Sequence, residues 1–315
     1  MIIGSAELKR RNLRRLDGVR EGQVYLGPEI VTLESTNTCN LSCQYCWGHS
    51  LDNPHHSEKA RFLSWERFVG IVRDCVDLKV DQIHITAAGE ATIHPLFGDM
   101  MGHLEQQPLY IKVFSNGTFP LEYCAHVIKA DHVTINVSAV NRKQYRQLQG
   151  QDLFDRVLKN IERLVALRDS GKPKFIVEIA YIVNALNIQQ KQKMSALASR
   201  LGVNSVYFSA MDVHAYNQKI ALPAEGQKRM PGKCLNGWFF LAVKLDGHAS
   251  SCYRVQMRLG NDKMSLKQLW LSGSMMNMRL LGKYGEIQKI FKACQKCPAY
   301  DDNIKRSRLL ARSHR

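Results

Sequence analysis

No stretch of this chain is apolar over the length a membrane-spanning helix needs; the most apolar run, 238–243, has the length of a strand. The N-terminus, Met1-Ile2-Ile3-Gly4, lacks the charged-then-apolar order of a secretory signal, so a cytoplasmic location and no membrane partner are expected. Acid is short: 28 Asp and Glu stand against 44 Lys and Arg, a formal net charge of +16. Sequence repeats are absent. So is the pattern of a disulfide framework, because seven of the nine cysteines fall into two metal-like groupings that suit a reducing compartment. The remaining two, Cys75 and Cys124, lie in helix-like patterns and are expected to be buried, inert thiols. A hydrophobic content of 45% over 315 residues is ample for one large domain and a small one.

The basic excess is uneven. Residues 1–20 carry six basic residues against Glu7 and Asp17, and residues 305–315 carry five with no acid. Such ends attract acidic partners: nucleic acid, anionic substrates, or an acidic electron donor such as a flavodoxin or ferredoxin. A solvated, frayed terminus explains them equally well.

From residue 30 onward, short β-rich runs alternate with helical patterns. Strands are expected near 30–35, 82–86, 110–114, 132–137, 175–183 and 205–208. Helices are expected from the N-cap Ser64, near 120–129, over 153–168, and over 188–201 with Gly202 as the C-cap signal. Six strand–helix units imply a parallel sheet with right-handed crossovers, as a half-closed α/β barrel or an open sheet. After Phe208 the alternation stops. The stretch 211–230 is polar and irregular, and Pro231-Gly232 marks a boundary. Beyond it, 238–244, the Asp246-Gly247 turn and 249–253 read as a β-hairpin, followed by a short helix over 265–271. The expected organisation is a basic segment 1–29, a barrel 30–210, a linker 211–230, a small domain 231–304 and a basic tail 305–315.

Both cysteine groupings carry chemistry. Cys39, Cys43 and Cys46 are spaced C-x3-C-x2-C directly after the first strand. Three thiolates on a short loop can hold three irons of a [4Fe–4S] cluster and leave the fourth iron to a small molecule. A half zinc site completed by His49 is the competing reading. Cys234 and Cys252 flank Gly247 as C-x12-G-x4-C, and Cys294 and Cys297 complete four thiolates, enough for one fully ligated cluster or for a zinc ribbon. His49, His55 and His56 follow the first cysteine loop and could line a pocket mouth or be solvated. His84 and His132 read as ordinary strand residues, and His94 has no assigned role.

The spacing, with Thr38 before it and Asn40-Leu41 and Tyr45 inside it, resembles the signature of the radical S-adenosylmethionine (radical SAM) superfamily. The resemblance implies a partial (β/α)6 barrel in which a reduced cluster cleaves SAM to a 5′-deoxyadenosyl radical that abstracts hydrogen from a substrate. It implies SAM contacts from Tyr45, from Gly89-Glu90 after the second strand, from Asn116 in Ser115-Asn116-Gly117-Thr118, and from Ser138. Ala88 departs from the family's Gly-Gly-Glu. The C-terminal cysteines resemble a twitch domain, a shortened SPASM module with one auxiliary [4Fe–4S] cluster, as in twitch-type dehydrogenases such as the aminocyclitol dehydrogenase of butirosin biosynthesis. That implies net oxidation of a small molecule or peptide, with epimerisation or C–C or thioether bond formation as alternatives. A non-catalytic iron–sulfur or zinc regulator is the alternative of another class, and nucleic acid is a substrate suggested by charge alone. Some SPASM dehydrogenases place an aspartate base directly after the second C-terminal cysteine; here that position is Tyr253, a poor base at neutral pH with an ordinary pKa of about 10.

Overall fold

The computed structural model describes residues 5–54, 59–86, 88–171, 174–211, 217–222, 233–252, 257–291, 294 and 306. Strands β1 (Ile30–Glu34), β2 (Gln82–Thr86), β3 (Tyr110–Ser115), β4 (His132–Asn136), β5 (Ile176–Val183) and β6 (Ser205–Ala210) pair in sequence order, all parallel. Helices α1 (Ser5–Glu21), α2 (Trp65–Asp77), α3 (Phe97–Glu105), α4 (Cys124–Val127), α5 (Arg142–Gln149), α6 (Phe154–Asp169) and α7 (Lys191–Leu201) precede or connect them. Ser64 caps α2 as expected, its hydroxyl accepting the Arg67 N–H, and Gly202 ends α7 in the left-handed region. The sheet forms a partial barrel.

Side chains alternate between the sheet's two faces. One set, including Ile83, Ile85, Val113, Ile135, Val177 and Ile179, belongs to the main hydrophobic core with the apolar faces of α2, α3 and α6. Cys75 and Cys124 sit in the same core. The other set is polar: His84 and Thr86, Lys112, His132 and Thr134, Glu178, Ser205 and Ser209, with Phe114 and Tyr207 among them. A closed barrel fills its interior with branched apolar side chains; this one keeps a polar lumen.

The small C-terminal region is not separate from that sheet. Strand β7 (Phe240–Val243) pairs parallel with β1, and β8 (Ala249–Ser250) pairs antiparallel with β7, giving the order β6-β5-β4-β3-β2-β1-β7-β8. The hairpin is the expected one, with Gly247 at φ +87°, but its place beside β1 was not legible in sequence. Helix α8 (Leu266–Trp270) then docks on α2, where Asp74 accepts the Lys267 N–H, and α9 (Gly273–Lys283) follows.

Residues 5–21 form a helix held to the rest of the chain, not a loose basic tail. Arg15, almost wholly buried, pairs with Asp81 at 2.6 Å and donates to the carbonyls of Gly27 and Pro28. Arg11 shares Asp81 at 3.0 Å. Leu16 and Val19 pack on Leu235, Trp238 and Phe239, so α1 joins the barrel to the C-terminal region. Arg306 is likewise engaged, with Asn236 and Glu29. Arg11, Arg15 and Arg306, three of the terminal cations, are therefore used internally.

Candidate functional site

The cysteine loop follows β1 and is pinned at both ends. Gln44 donates its N–H to Leu148 O and its side-chain amide to Gln147 O, seating the loop on the end of α5. Within it, Cys46 N–H bonds Cys43 O at 2.9 Å. Backbone N–H groups point at sulfur: Leu41 to Cys39, and Gly48 and His49 to Cys46. Burial pushes the Cys39 thiol up to about 12, and does the same in direction to Cys43 and Cys46. Neighbouring sulfurs add to the rise at Cys39 and Cys43. Three neighbouring thiols, two of them with N–H donors aimed at sulfur and with no Lys or Arg among the described residues lining their cavity, fit a bound metal group, which would reverse that trend. Among the described residues no three His, Cys, Asp or Glu side chains are arranged to hold a single metal ion. A four-iron cluster spreads its sulfur ligands over separate irons.

Gly89 and Glu90 knot this loop to the barrel. A Cβ on Gly89 would stand 2.0 Å from the Thr38 carbonyl oxygen, and Glu90 N–H bonds that same oxygen at 2.7 Å. The glycine is thus required for chain-to-chain contact just before Cys39. Glu90 is buried; its Oε1 accepts Thr92 N–H, Thr92 Oγ1 and Ser115 Oγ, and its Oε2 accepts Asn116 N–H at 2.6 Å. Burial nevertheless raises this carboxyl, the four donors only partly offsetting it. No ion pair of Glu90 occurs among the described residues. The Asn116 side chain is committed elsewhere: Nδ2 donates to Asn40 Oδ1, and Oδ1 accepts from Thr118, tying the third strand's end to the cysteine loop.

A cavity of about 410 Å³ opens at the C-terminal ends of the strands. Cys39, Cys43, Cys46, Tyr45, Gly89, Glu90 and Asn116 all line it, so the structure brings these expected residues together. The Tyr45 hydroxyl donates to Asn136 Oδ1 at 2.8 Å. Ser138 lies behind the wall, fully buried, its hydroxyl accepting Ile182 N–H and its carbonyl accepting Asn187. Asn136, two residues earlier, lines the cavity in its place. Thr86, Thr134, Tyr207 and Ser209 also line the cavity, residues that only strand alternation could have selected in advance, as does Gln149 at the end of α5.

Two residues further down the strands lies a charged cluster that sequence reasoning missed. Glu178 accepts from Lys112 Nζ at 3.2 Å, Thr134 Oγ1 at 3.1 Å and Ser205 Oγ at 2.9 Å, with His132 Nε2 at 3.3 Å. Burial, then Lys112, drive the His84 imidazole down to about 3. His94 is a satisfied core histidine, bonded to Leu63 O and Leu96 N. Of the mouth candidates, His49 lines the cavity, while His55 and His56 lie outside the described residues.

At the other cysteine set, Cys234 N–H bonds Gly282 O at 2.8 Å, where a Cβ on Gly282 would meet Cys234 O at 2.2 Å. Cys234 packs against a small apolar cluster of Met257, Ile287 and Cys294. Asn236 donates to Ser251 O, linking the segments that carry Cys234 and Cys252. Cys297 and Tyr253 lie outside the described residues.

The comparisons agree with this layout. The model of the radical SAM superfamily matches residues 33–183, and that of the SPASM iron–sulfur cluster-binding domain matches residues 234–298. The chain belongs to the radical SAM superfamily, in the branch with a C-terminal SPASM-type domain. These two domains imply a [4Fe–4S] cluster, an auxiliary cluster and SAM. Among curated proteins it is similar to a probable GTP 3′,8-cyclase of Saccharolobus solfataricus, 24% identical over 57% of this chain and 56% of that protein. It is also similar to the tungsten-containing aldehyde ferredoxin oxidoreductase cofactor-modifying protein of Pyrococcus furiosus, 24% identical over 56% of this chain and 50% of that one. The chain therefore spans about half the length of these relatives. Among solved structures, anSMEcpe with bound AdoMet matches at TM-score 0.61 and 16% identity over 86% of this chain and 88% of that one. BtrN in complex with AdoMet and 2-DOIA matches at 0.54 and 13% over 88% and 94%. Streptococcus suis SuiB bound to precursor peptide SuiA matches at 0.59 and 12% over 89% and 73%. These likenesses establish the fold. No helix among the described residues is long and apolar enough to cross a membrane.

Proposed function

We propose that this radical SAM enzyme carries out a net oxidation of a polar substrate that is not polyanionic, bound in the barrel lumen. When bound, the reduced first cluster and SAM would supply radical hydrogen abstraction and the auxiliary cluster a one-electron acceptor, so that the substrate would lose a hydrogen atom, an electron and a proton overall. In this reading Cys39, Cys43 and Cys46 hold the first cluster, and Cys234, Cys252, Cys294 and Cys297 the auxiliary one. Glu90 Oε2, with one donor, has acceptor capacity left for the SAM ammonium, and a cation there relieves a buried carboxylate. Tyr45 and Asn116 hold the loop in place, and Ser138 aligns β4 with β5 behind Asn136.

The observation that carries the substrate reading is the lining: no Lys or Arg among the described residues borders the cavity, and the nearest lumen cation, Lys112, is already paired with Glu178. A nucleoside triphosphate needs several free cations, so the cyclase's substrate is not carried over from that relative. The same lining argues against nucleic acid despite the net charge of +16. A peptide is the second reading, favoured by β6, which among the described residues is the sheet's edge strand, with Tyr207 57% exposed at the cavity. An acidic flavodoxin or ferredoxin as electron donor, and a cytoplasmic setting, complete the proposal.

The test is incubation of reconstituted, reduced enzyme with deuterated candidate substrates. Deuterium in 5′-deoxyadenosine, with a product two hydrogens lighter, supports the reading. A product isomeric with the substrate makes the enzyme an epimerase, and two hydrogens lost into a new C–C or C–S link, in place of a new double bond, make it a bond-forming catalyst. Absence of 5′-deoxyadenosine leaves only the non-catalytic alternative.

A further inference from the structure

Arg279 on α9 is wholly buried, yet no carboxylate among the described residues pairs with it. Its Nε donates to Gly237 O and its Nη2 to Trp270 O, each at 2.9 Å, and the guanidinium lies 4.0 Å over the Trp270 ring. Its Nη1 is buried with no hydrogen-bond partner. Taking a guanidinium out of water without an anion is strongly unfavourable. Burial accordingly lowers its pKa to about 9. Two carbonyls and an indole face give partial relief and leave the charge uncompensated.

The location supplies the missing partner. Gly237 O, which Arg279 holds, is three residues beyond Cys234; Gly282 O, one turn further along α9, holds the Cys234 N–H. The buried cation is thus fastened on both sides to the segment bearing one of the four C-terminal cysteines. A cubane with four thiolate ligands is anionic and becomes more so on reduction.

We propose that Arg279 is the fixed counter-charge of the auxiliary cluster and raises its reduction potential, making it a better electron acceptor. This rests on the assignment of Cys234, Cys252, Cys294 and Cys297 to that cluster. Arg279 is a tuning residue: it acts on the potential through space and touches no substrate.

The experiment uses the Cys39→Ala, Cys43→Ala, Cys46→Ala background, where any bound cluster is the auxiliary one, and measures its midpoint potential by a titration followed by electron paramagnetic resonance. Arg279→Gln should lower the midpoint clearly, while Arg279→Lys, which keeps the charge, should leave it close to the parent. Arg279→Gln should also shrink the rise in melting temperature that cluster loading produces; a residue that only braces α8 against Gly237 would shift loaded and cluster-free protein alike. An unchanged midpoint in Arg279→Gln, or a drop in Arg279→Lys as large as that in Arg279→Gln, overturns the proposal. Should Arg279→Gln fail to fold, the Arg279→Lys midpoint alone decides, because a charge effect requires it to be preserved. A background protein that binds no iron, or binds zinc instead, overturns the cluster assignment itself and is told apart by metal analysis.

Discussion

The two cysteine sets reach their ends by opposite routes. Cys39, Cys43 and Cys46 come from one eight-residue loop, held by a polar knot in which Glu90 and Asn116 take the cysteine loop's neighbours and each other. The C-terminal set is spread over 64 residues of sequence, 234–297, and its described part rests on long-range packing: β7 against β1, α8 on α2, α9 against Cys234. The first site is built by local geometry and hydrogen bonds, and its polar groups are nearly all satisfied. The second leaves a buried guanidinium waiting for an anion. The first site's loop is matched by polar groups from neighbouring strand and helix ends, whereas no described carboxylate offsets the guanidinium beside the second.

The comparison is broken most severely by replacing Cys39, Cys43 and Cys46 with alanine, which should remove about four irons per chain and all SAM cleavage. Replacing Cys234 and Cys252 should instead remove iron from the auxiliary site while 5′-deoxyadenosine still forms without oxidised product. Iron analysis and chromatography of the nucleoside read both results, and equal loss of cleavage in the two variants would contradict the division of labour.

Next in size is Gly89→Ala. Its methyl cannot fit against the Thr38 carbonyl, so the backbone must move where the cysteine loop begins. A cost of about 3 kcal/mol in urea unfolding is expected, together with loss of cleavage. Cleavage unaffected at full iron loading would show that the loop tolerates the shift.

Glu90→Gln keeps the shape and removes the charge. Weakening of SAM binding by about tenfold is expected from losing one charge-assisted contact, measured by equilibrium dialysis on reconstituted protein. A smaller, pH-dependent effect separates the lumen from both cysteine sets. His84 titrates near 3 in the folded chain against 6.5 when free, so the unfolded chain binds its proton first. Its contribution is therefore complete above about pH 6.5 and is lost as pH falls towards 3. Chemical unfolding between pH 7 and 5 should show wild type losing more stability than His84→Gln. Least of all should change in Tyr253→Phe, which is expected to keep SAM cleavage and most turnover; hydrogen abstraction without oxidised product would make the phenol catalytic.

The six parallel strands were legible because each is a short β-rich run bounded by turn signals and followed by a helical pattern. Ser64 and Gly202 likewise announce helix ends through local chemistry alone. Helix α1 was hidden by its charge: a segment with Arg10, Arg11, Arg14 and Arg15 reads as solvated until Asp81, sixty-six residues away from Arg15, supplies the counter-charge.

Sequence by itself determined the chemistry that depends on spacing along the chain: three thiols within eight residues, Gly89-Glu90 after a strand, a hairpin turn at Gly247. Those features are short-range, so their geometry follows from a few dihedral angles. Tertiary structure alone decided which side of each strand faces the lumen, that Asn136 rather than Ser138 lines the cavity, and that Lys112, His132 and Glu178 converge further down the strands. It also decided that β7 joins the barrel sheet at β1 and that Arg279 is buried without an acid. Each of these is a pairing of segments far apart in the chain, selected by the burial of whole faces, and no local pattern records which distant partner a face will meet.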